Sequence, residues 1–257
     1  MAHGSLFDTP HPVALVTGSG APRVGRTVAL RLAERGYRVV VHANRSIEAA
    51  HEMVAELAAQ GYLATAVVGD LADEETARRV VREAAAVWGR LDVLVNTAAI
   101  WQRKPLEAIT AVDVVRHFEV NALSVFVTCQ EAGLLMAAQA SGGAIINVGD
   151  WATIRPYRDY AAYFPSKGAI PTLTRTFAVE LAARNPRIRV SAVLPGPVML
   201  PPDLSPDERQ DAVAGTLVKR EGSPDNVAQA VIALIENDFI TGVCLPVDGG
   251  RSVYAPE

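Results

Sequence analysis

Cysteine is nearly absent from this chain of 257 residues, since only Cys129 and Cys244 occur. Two distant cysteines cannot build a disulfide framework or a thiolate metal cluster. We therefore expect two core thiols in a reducing compartment. The five histidines show no metal-ligand spacing with carboxylates or cysteines, so the sequence predicts no catalytic metal.

Strong charge of either sign and long apolar runs are also lacking. The formal net charge is -4 and 20% of the residues are charged, which does not indicate a nucleic-acid-binding or membrane surface. The N-terminus has no basic region before a long apolar run, as a signal peptide would have. The longest uncharged stretch, residues 132–149, is typical of a helix end, a turn and a strand. We expect a soluble, cytoplasmic protein.

What the chain does have is a regular alternation of strand-like and helix-like segments. Half of its residues are apolar, so a large core can form. Predicted strands are 13–17, 37–43, 64–68, 91–95, 144–148, 189–194 and 242–247; predicted helices are 26–35, 47–60, 73–88, 112–127 or beyond, 161–184 and 226–237. This alternation predicts a doubly wound Rossmann-type α/β fold, with one parallel sheet flanked by helices on both faces.

Length alone leaves one domain or two open, but no composition break divides the chain, and we predict a single domain over residues 1–257. Residues 1–12 are predicted to be an irregular lead-in. Residues 196–222 are rich in proline and charge and have weak periodicity. They are predicted to be the one long irregular segment, of the kind that often forms a mobile lid over a substrate.

A glycine-rich turn joins the first strand to the first helix and reads T-G-S-G-A-P-R-V-G over residues 17–25. Glycines there let the backbone approach a pyrophosphate, and the helix N-terminus supplies unpaired N–H groups and a positive dipole end. This placement between strand and helix favours a nucleotide site over an ordinary tight turn. Gly18, Arg23 and Val24 are the predicted contacts.

The end of the second strand lacks the acidic residue that an NAD site usually has. Asn44, Arg45 and Ser46 stand there instead. Arg45 alone would more often be a solvated surface charge, but it can pair bidentately with a 2′-phosphate, and Ser46 can donate to the same group. Arg23 would add a second cation. The sequence therefore predicts NADPH rather than NADH.

Two further strand ends are predicted to contact the adenosine. Asp70 and Leu71 follow the third strand; Asp70 can accept from the adenine amino group or serve as an N-cap or turn residue, and both interpretations stay open. Asn96 and Ala98 follow the fourth strand, where small residues leave room for the nucleoside.

These features resemble the short-chain dehydrogenase/reductase superfamily over about residues 13–250. The resemblance rests on the glycine-rich turn, Asn96-Thr97-Ala98-Ala99, Asn121, Tyr163-x-x-x-Lys167 and Pro195-Gly196, in that order and spacing. It implies an NADP(H)-dependent oxidoreductase in which Lys167 holds the nicotinamide ribose and Asn121 orders a proton-relay water. It also implies cofactor contacts at Pro195 and Gly196, and a homotetramer supported by the C-terminal strand and tail.

Tyr163 and Lys167 are four residues apart and so share a helical face. A phenol is a poor acid–base group at neutral pH, and a nearby ammonium stabilises the phenolate. We therefore expect Lys167 to lower the pKa of Tyr163 for acid–base catalysis.

Asp150 is the informative departure from the superfamily, most of whose members have a serine about there to polarise a carbonyl. An ionised carboxylate cannot donate to a ketone oxygen and would repel a developing oxyanion. It accepts from N–H groups or from the Tyr163 hydroxyl, or donates when protonated. Asp150 therefore suits a substrate with ring N–H or amino donors, or a C=N bond that needs a proton.

Within the superfamily, the pteridine reductases are the most similar branch. The resemblance rests on Asp150, Arg23 and the His42-Ala43-Asn44-Arg45-Ser46 run. It implies that Trp101 stacks on a flat heteroaromatic ring, with packing within a loop as the alternative for this residue. Trp151 and Tyr157 are predicted to line the substrate site. The competing interpretations are a carbonyl or 3-oxoacyl-type reductase of the same superfamily, and a nucleotide-binding sensor with little catalysis.

Overall fold

The computed structural model describes residues 6–201 and 204–254 of the chain. Seven strands form one sheet, and every neighbouring pair of strands is parallel. They are β1 (Val13–Thr17), β2 (Arg38–Ala43), β3 (Ala64–Val68), β4 (Val93–Asn96), β5 (Gly143–Val148), β6 (Ile188–Pro195) and β7 (Cys244–Val247). Their order across the sheet is β3-β2-β1-β4-β5-β6-β7. The predicted doubly wound fold is confirmed.

Helices cover both faces of this sheet. They are α1 (Val24–Glu34), α2 (Ile47–Ala59), α3 (Glu74–Trp88), α4 (Ala111–Phe118), α5 (Ser124–Ala137), α6 (Tyr163–Ala182), α7 (Pro206–Ala214) and α8 (Pro224–Glu236). One apolar core lies between the sheet and α1, α2 and α8, and a second lies between the sheet and α3, α5 and α6. Because both faces of the sheet are covered, all five residues of β1 are buried. Strands in this position are typically apolar along most of their length.

Local signals in the sequence set most helix ends. The Asp73 side chain accepts from the Thr76 N–H and caps α3, and Gly89 ends that helix with a φ of 72°. Gly36 follows α1 in the same left-handed conformation. Residues 6–12 are irregular, as predicted, and the remainder of the predicted lead-in, residues 1–5, lies outside the described residues.

The prediction of a single irregular segment over residues 196–222 is wrong in its middle, where α7 forms. The Ser205 side chain accepts from the Glu208 N–H, and the Glu208 side chain accepts from the Ser205 N–H. Pro206 is at the first helical position, where its fixed φ and missing N–H are tolerated. Residues 202 and 203 of this segment lie outside the described residues.

A π-helical turn, Glu119–Leu123, joins α4 to α5 and makes one helical stretch of residues 111–137. By length and composition alone, this is the one helix within residues 6–201 and 204–254 that could cross a membrane. More than half of its apolar window is buried against the rest of the protein. A core helix of a soluble protein passes the same test, so this stretch is weak support for a membrane span.

Candidate active site

The strand order reverses between β1 and β4, and a crevice forms outside the carboxyl ends of these strands. The glycine-rich turn follows β1 there. Gly18 has a φ of +65°, and a Cβ at this position would lie 2.8 Å from the Cα of Ala98. A Cβ at Gly25 would collide with the Thr97 hydroxyl. Glycine is therefore required at both positions by the close approach of the loop that follows β4.

His42 holds the glycine-rich turn through a hydrogen bond. The Gly18 N–H donates to His42 Nδ1 at 3.0 Å, and His42 Nε2 lies 3.0 Å from the Gly69 carbonyl oxygen. The proton must therefore be on Nε2. Burial lowers the pKa of His42 to about 4, so the ring is neutral and can accept from Gly18.

The N-terminus of α1 is open toward the crevice. Within residues 6–201 and 204–254, the N–H groups of Val24 and Gly25 make no hydrogen bond to the protein. Unpaired N–H groups at a helix N-terminus favour a negatively charged group. The glycine turn and this helix end therefore fit the pyrophosphate of a dinucleotide, and the contacts of Val24 and Arg23 with it stay predictions.

The residues after β2 fit a second phosphate. Arg45 and Arg23 are exposed, and neither guanidinium has a partner among the residues that the structure describes. Ser46 precedes α2 as its N-cap, yet its hydroxyl makes no capping hydrogen bond. Two unpaired cations, a free hydroxyl and the positive end of a helix dipole are the groups that a 2′-phosphate requires.

Asp70 has a turn role in the structure, and Asp73 rather than Asp70 caps the following helix. Asp70 Oδ1 accepts from the Ala72 N–H at 3.0 Å, and Oδ2 accepts from Arg116 at 3.2 Å. Burial opposes ionisation, but the Ala72 N–H, Arg116 and Asn44 outweigh it and lower the pKa of Asp70. The carboxylate stays charged next to buried Leu71, and its predicted contact with adenine stays a prediction.

The side chain of Asn96 does not reach into the crevice as an adenosine contact. Its Nδ2 donates to Asn147 Oδ1 at 3.0 Å, and its Oδ1 accepts from Thr128 at 2.9 Å. These groups and Cys129 form a buried polar network between β4, β5 and α5. The side chain at position 96 therefore links the two strands beneath the site, and only the backbone is left for a cofactor contact.

Tyr163 and Asp150 form the centre of the site. The Tyr163 hydroxyl donates to Asp150 Oδ2 at 2.8 Å, while Asp150 Oδ1 accepts from the Ala152 N–H at 2.8 Å. Asp150 follows β5 and caps the short 3-10 turn Trp151–Thr153, and Tyr163 is the first residue of α6. Burial raises the pKa of Asp150 against the opposing effects of Ala152, Tyr163 and Lys167.

Lys167 lies one helical turn beyond Tyr163 and is buried. Its Nζ donates to the Val148 carbonyl at 2.8 Å. Burial lowers the pKa of Lys167 to about 8, and the charge of Asp150 opposes this shift.

The expected depression of the Tyr163 pKa is wrong for this structure. Burial raises the pKa of Tyr163 well above its ordinary value, and the charge and hydrogen bond of Asp150 raise it further. The reason is that the hydroxyl donates to a carboxylate, which stabilises the phenol and repels the phenolate. Tyr163 is thus held in its acid form.

Asn121 lies in the π-helical turn and is fully buried. Its Oδ1 accepts from the Ile100 N–H at 2.8 Å, and its Nδ2 donates to the Ile100 carbonyl and to Ser166 Oγ, each at 3.0 Å. The amide therefore ties the loop after β4 to α6. Both of its protons are committed, and the predicted relay water stays a prediction.

Aromatic rings surround Asp150 and Tyr163. Trp101 stacks on Tyr160 with ring centroids 4.9 Å apart and an interplanar angle of 7°, so only one face of Trp101 is left for a substrate. Tyr157 packs beside Trp151 at 6.4 Å, and Trp151 is buried. The predicted substrate residues are thus brought together on one side of Tyr163.

Pro195 and Gly196 end β6 at the same edge of the sheet. The Gly196 N–H donates to the Val247 carbonyl at 3.0 Å. A Cβ at Gly196 would lie 2.5 Å from the Cα of Asp248, so glycine admits the C-terminal segment there. That segment also carries Arg251, which packs on Trp151 at 5.0 Å. Sequence reasoning missed Arg251 because no motif marks a contact between residues so far apart in the chain.

Known proteins share this fold. A profile of the adh_short_C2 family, described as Enoyl-(Acyl carrier protein) reductase, matches residues 21–252. The chain is 37% identical over 250 residues to the granaticin polyketide synthase putative ketoacyl reductase 2 of Streptomyces violaceoruber, covering 95% of this chain and 97% of that protein. The chain belongs to the short-chain dehydrogenase/reductase superfamily.

Other members of the superfamily have different named activities. L-rhamnose 1-dehydrogenase (NAD(P)(+)) of Sphingomonas sp. (strain SKA58) is 33% identical over 248 residues, covering 93% of this chain and 95% of that protein. The crystal structure of acetoin dehydrogenase from Enterobacter cloacae superposes with a TM-score of 0.85 at 31% identity, over 96% of this chain and 97% of that one. The protein is an oxidoreductase of a superfamily that uses NAD(P)H, and the comparisons do not single out a pteridine reductase-like branch.

Proposed function

We propose that this protein is a single-domain, NADPH-dependent reductase that acts on a C=N or C=O bond of a flat, pterin-like heteroaromatic substrate. The observation that carries the proposal is the 2.8 Å hydrogen bond from Tyr163 to Asp150 in a buried site. A carboxylate in this position holds a proton on Tyr163 and accepts from amino or ring N–H groups of a substrate. When bound, a nicotinamide would supply the hydride, and Tyr163 with Asp150 would supply the proton.

The aromatic lining supports a flat substrate. Trp101 is 38% exposed and keeps one face free, and Tyr157 is 42% exposed beside it. Flat rings gain from offset stacking on such side chains beyond the area that they bury. A substrate ring lying on the free face of Trp101 would belong to the same aromatic cluster as Tyr160, whose ring centroid is 6.4 Å from that of Tyr163.

The proposed preference for NADPH rests on Arg45, Arg23 and Ser46. We expect Arg45→Ala to raise the KM for NADPH by about tenfold to a hundredfold and to leave the KM for NADH unchanged, because a hydrogen bond to a charged group is lost. Arg158→Ala is the matched control, since this arginine is also exposed and its guanidinium has no partner among residues 6–201 and 204–254. An equal effect of Arg45→Ala on both cofactors would contradict the assignment.

A carbonyl or ketoacyl reductase is the second candidate, and one observation favours it. The similarity to a protein named as a putative ketoacyl reductase is 37% over nearly the whole chain. In that case a protonated Asp150 would have to donate to the carbonyl oxygen in place of a serine. Burial favours the protonated form of this carboxyl group, as the raised pKa of Asp150 indicates.

One assay separates the candidates. NADPH oxidation is followed with dihydrobiopterin, dihydrofolate, plain ketones and acyl thioesters, using wild type and Asp150→Ser. Pterin turnover that collapses in the variant supports the pterin-like substrate. Turnover of ketones or thioesters alone, or a gain on ketones in the variant, supports the second candidate. A nucleotide sensor would turn over none of them, and measurable turnover excludes it.

We further propose a homotetramer, and a cytoplasmic location stays a prediction. Phe239 is 98% exposed and Val179 is 72% exposed near the start of β7. An apolar groove of about 440 Å³ also lies along α4, α5 and α6, between Phe118 and Phe126. Exposed apolar surfaces of this kind mark protein interfaces. Light scattering should give four times the chain mass of 27.3 kDa, and a monomer would contradict the proposal.

A further inference from the structure

The helix α7 has little apolar contact to hold it in place, since Ala212 and Val213 are only partly buried. It is nine residues long, and none of its residues is buried. Isolated helices of this length are marginal in water, and most helical stability in proteins comes from packing of an apolar face. Its position must therefore be set by polar contacts made from outside the helix.

Three arginines make polar contacts at α7, two of them (Arg103 and Arg251) from other parts of the chain and one (Arg209) from the helix itself. Near its start, Arg103 Nη1 lies 3.1 Å from Glu208 Oε1, and within it Arg209 pairs with Glu221 at 3.0 Å. Both pairs are partly exposed, and exposed ion pairs contribute little to stability. The third contact differs in kind, because Arg251 Nη1 donates to the carbonyls of the last turn of α7.

Those carbonyls belong to Asp211, at 3.2 Å, and Ala212. The last carbonyls of a helix have no intrahelical partner and carry the negative end of the dipole. Here the Asp211 carbonyl already accepts from the Gly215 N–H at 3.0 Å, so the half-buried guanidinium is a second donor to it and also donates to the Ala212 carbonyl. Asp248 supports the arginine by accepting from the N–H groups of Gly250 and Ser252, which shapes the turn that carries Arg251.

Gly215 supplies an independent observation. It ends α7 with a φ of -72°, which any residue adopts, so the backbone does not require glycine there. A Cβ at this position would lie 2.8 Å from the guanidinium carbon of Arg251 and closer still to Nη1. A side chain at position 215 would therefore displace the Arg251 head group, the movable end of a long side chain, from its place at the end of α7.

The same guanidinium also packs over the Trp151 ring, 5.0 Å from its centroid. Trp151 directly follows Asp150 and begins the turn that Asp150 caps. At the other end of α7, Arg103 belongs to the loop that carries Trp101 and also pairs with Asp159 at 3.2 Å. Contacts of α7 thus reach both the loop that carries Trp101 and the ring of Trp151.

We propose that Arg251 is a positioning residue that couples α7 to Trp151 and thereby fixes the wall of the substrate pocket next to Asp150. Gly215 is the second half of this device, because it provides the space for the guanidinium. The inference rests on the proposed reductase activity only for its kinetic readout. The coupling of α7 to the C-terminal segment is measurable without any substrate.

The test uses Arg251→Met, which keeps the volume and removes the charge, Gly215→Ala, their double variant and Arg251→Lys. Arg220→Met is the matched control, since Arg220 is exposed in the same segment and its guanidinium contacts only the backbone of Glu221. The first readout is the rate of limited proteolysis within residues 204–222, which reports local opening. The second readout is kinetic: it asks whether the KM for substrate changes while kcat and the KM for NADPH stay the same.

We expect Arg251→Met and Gly215→Ala each to speed cleavage and to raise the substrate KM by about tenfold, because a charge-assisted hydrogen bond is lost. The KM for NADPH should not change. The double variant should be no worse than either single variant, because both remove one interaction. Arg251→Lys should restore part of the effect, and Arg220→Met should match wild type.

Additive effects of the two substitutions would overturn the inference, and so would a wild-type cleavage rate in Gly215→Ala. If the wild-type protein turns over none of the substrates, the proposed function fails. In that case the proteolysis rates of wild type, the two single variants and the double variant still show whether Arg251 is coupled to α7.

Discussion

Replacing Asp150 with Asn tests the acid–base chemistry of the site most directly. The side chain keeps its size, and an amide oxygen can still accept from the Tyr163 hydroxyl across the 2.8 Å contact. What is lost is the negative charge that raises the pKa of Tyr163. The expected result is therefore a lower pKa of Tyr163 in the variant.

The geometry bounds the size of this shift. A hydrogen bond to a neutral acceptor is weaker than one to a charged acceptor by about 1.4 kcal/mol, which corresponds to about one pKa unit. This is the smallest decrease that we expect in the pKa of Tyr163. Two unit charges 2.8 Å apart at an effective dielectric constant of about 20 repel by about 6 kcal/mol, so full ionisation of Asp150 would give about four units. We expect a decrease between these limits.

The assay is a pH titration of tyrosinate absorbance, with Asp150→Asn compared with Asp150→Asn/Tyr163→Phe so that the difference belongs to Tyr163. A matching wild-type and Tyr163→Phe pair gives the reference. In kinetics, the alkaline limb of the reduction rate should move to lower pH in the variant, because the acid form of Tyr163 is lost earlier. An unchanged Tyr163 titration would refute the claim that Asp150 holds the proton.

The same substitution should also change stability, with a defined sign. The pKa of Asp150 is raised in the folded state, so the folded protein binds this proton more tightly than the unfolded chain does. Stability from this group is greatest below its unfolded pKa and is lost as the pH rises through the folded pKa. Asp150→Asn should therefore be more thermostable than wild type at neutral pH, and the gain should vanish in acid. An equal gain at every pH would contradict the linkage.

Three further predictions concern other parts of the fold. Arg189→Met should lower the free energy of unfolding by about 3 kcal/mol, because the buried guanidinium caps carbonyls at the end of α8, and urea unfolding measures this. Gly18→Ala should weaken NADPH binding, which a fluorescence titration measures. Gly36 has a similar positive φ but open space around it, so Gly36→Ala should lower only the melting temperature. Cys129, whose pKa burial raises to about 12, should resist thiol reagents in the native protein, whereas half-buried Cys244 should react slowly and both should react after unfolding.

The alternation and the capping residues were sufficient to predict the sheet and most of its helices. The helix α3 begins after Asp73 and ends before Gly89, because an acceptor side chain and a left-handed glycine are local requirements. The helix α7 has equally local signals in Ser205, Pro206 and Glu208. Periodicity could not reveal this helix, because the segment is rich in proline and charge and the helix has no buried apolar face.

Chemistry at the site was predictable where it depends on residue type and not where it depends on distance. The spacing of Tyr163 and Lys167 predicts a shared helical face, and both are buried there. It does not predict which partner the hydroxyl chooses. The hydroxyl donates to Asp150, which follows a different strand, and burial together with this contact raises the Tyr163 pKa instead of lowering it. Asn96 likewise turns inward because Asn147 and Thr128 offer it buried partners.

The exchange of a serine for Asp150 has a consequence for the direction of the reaction. Asp150 and Tyr163 titrate as a coupled pair, because each affects the other through one hydrogen bond. When Asp150 is ionised, it keeps the proton on Tyr163; when it is protonated, it becomes a second donor. In both states Tyr163 retains its own proton at a pH where a tyrosine with a depressed pKa, beside a serine, would already have lost it. A site of this kind is a better acid than base, so its arrangement favours reduction over alcohol oxidation near neutral pH.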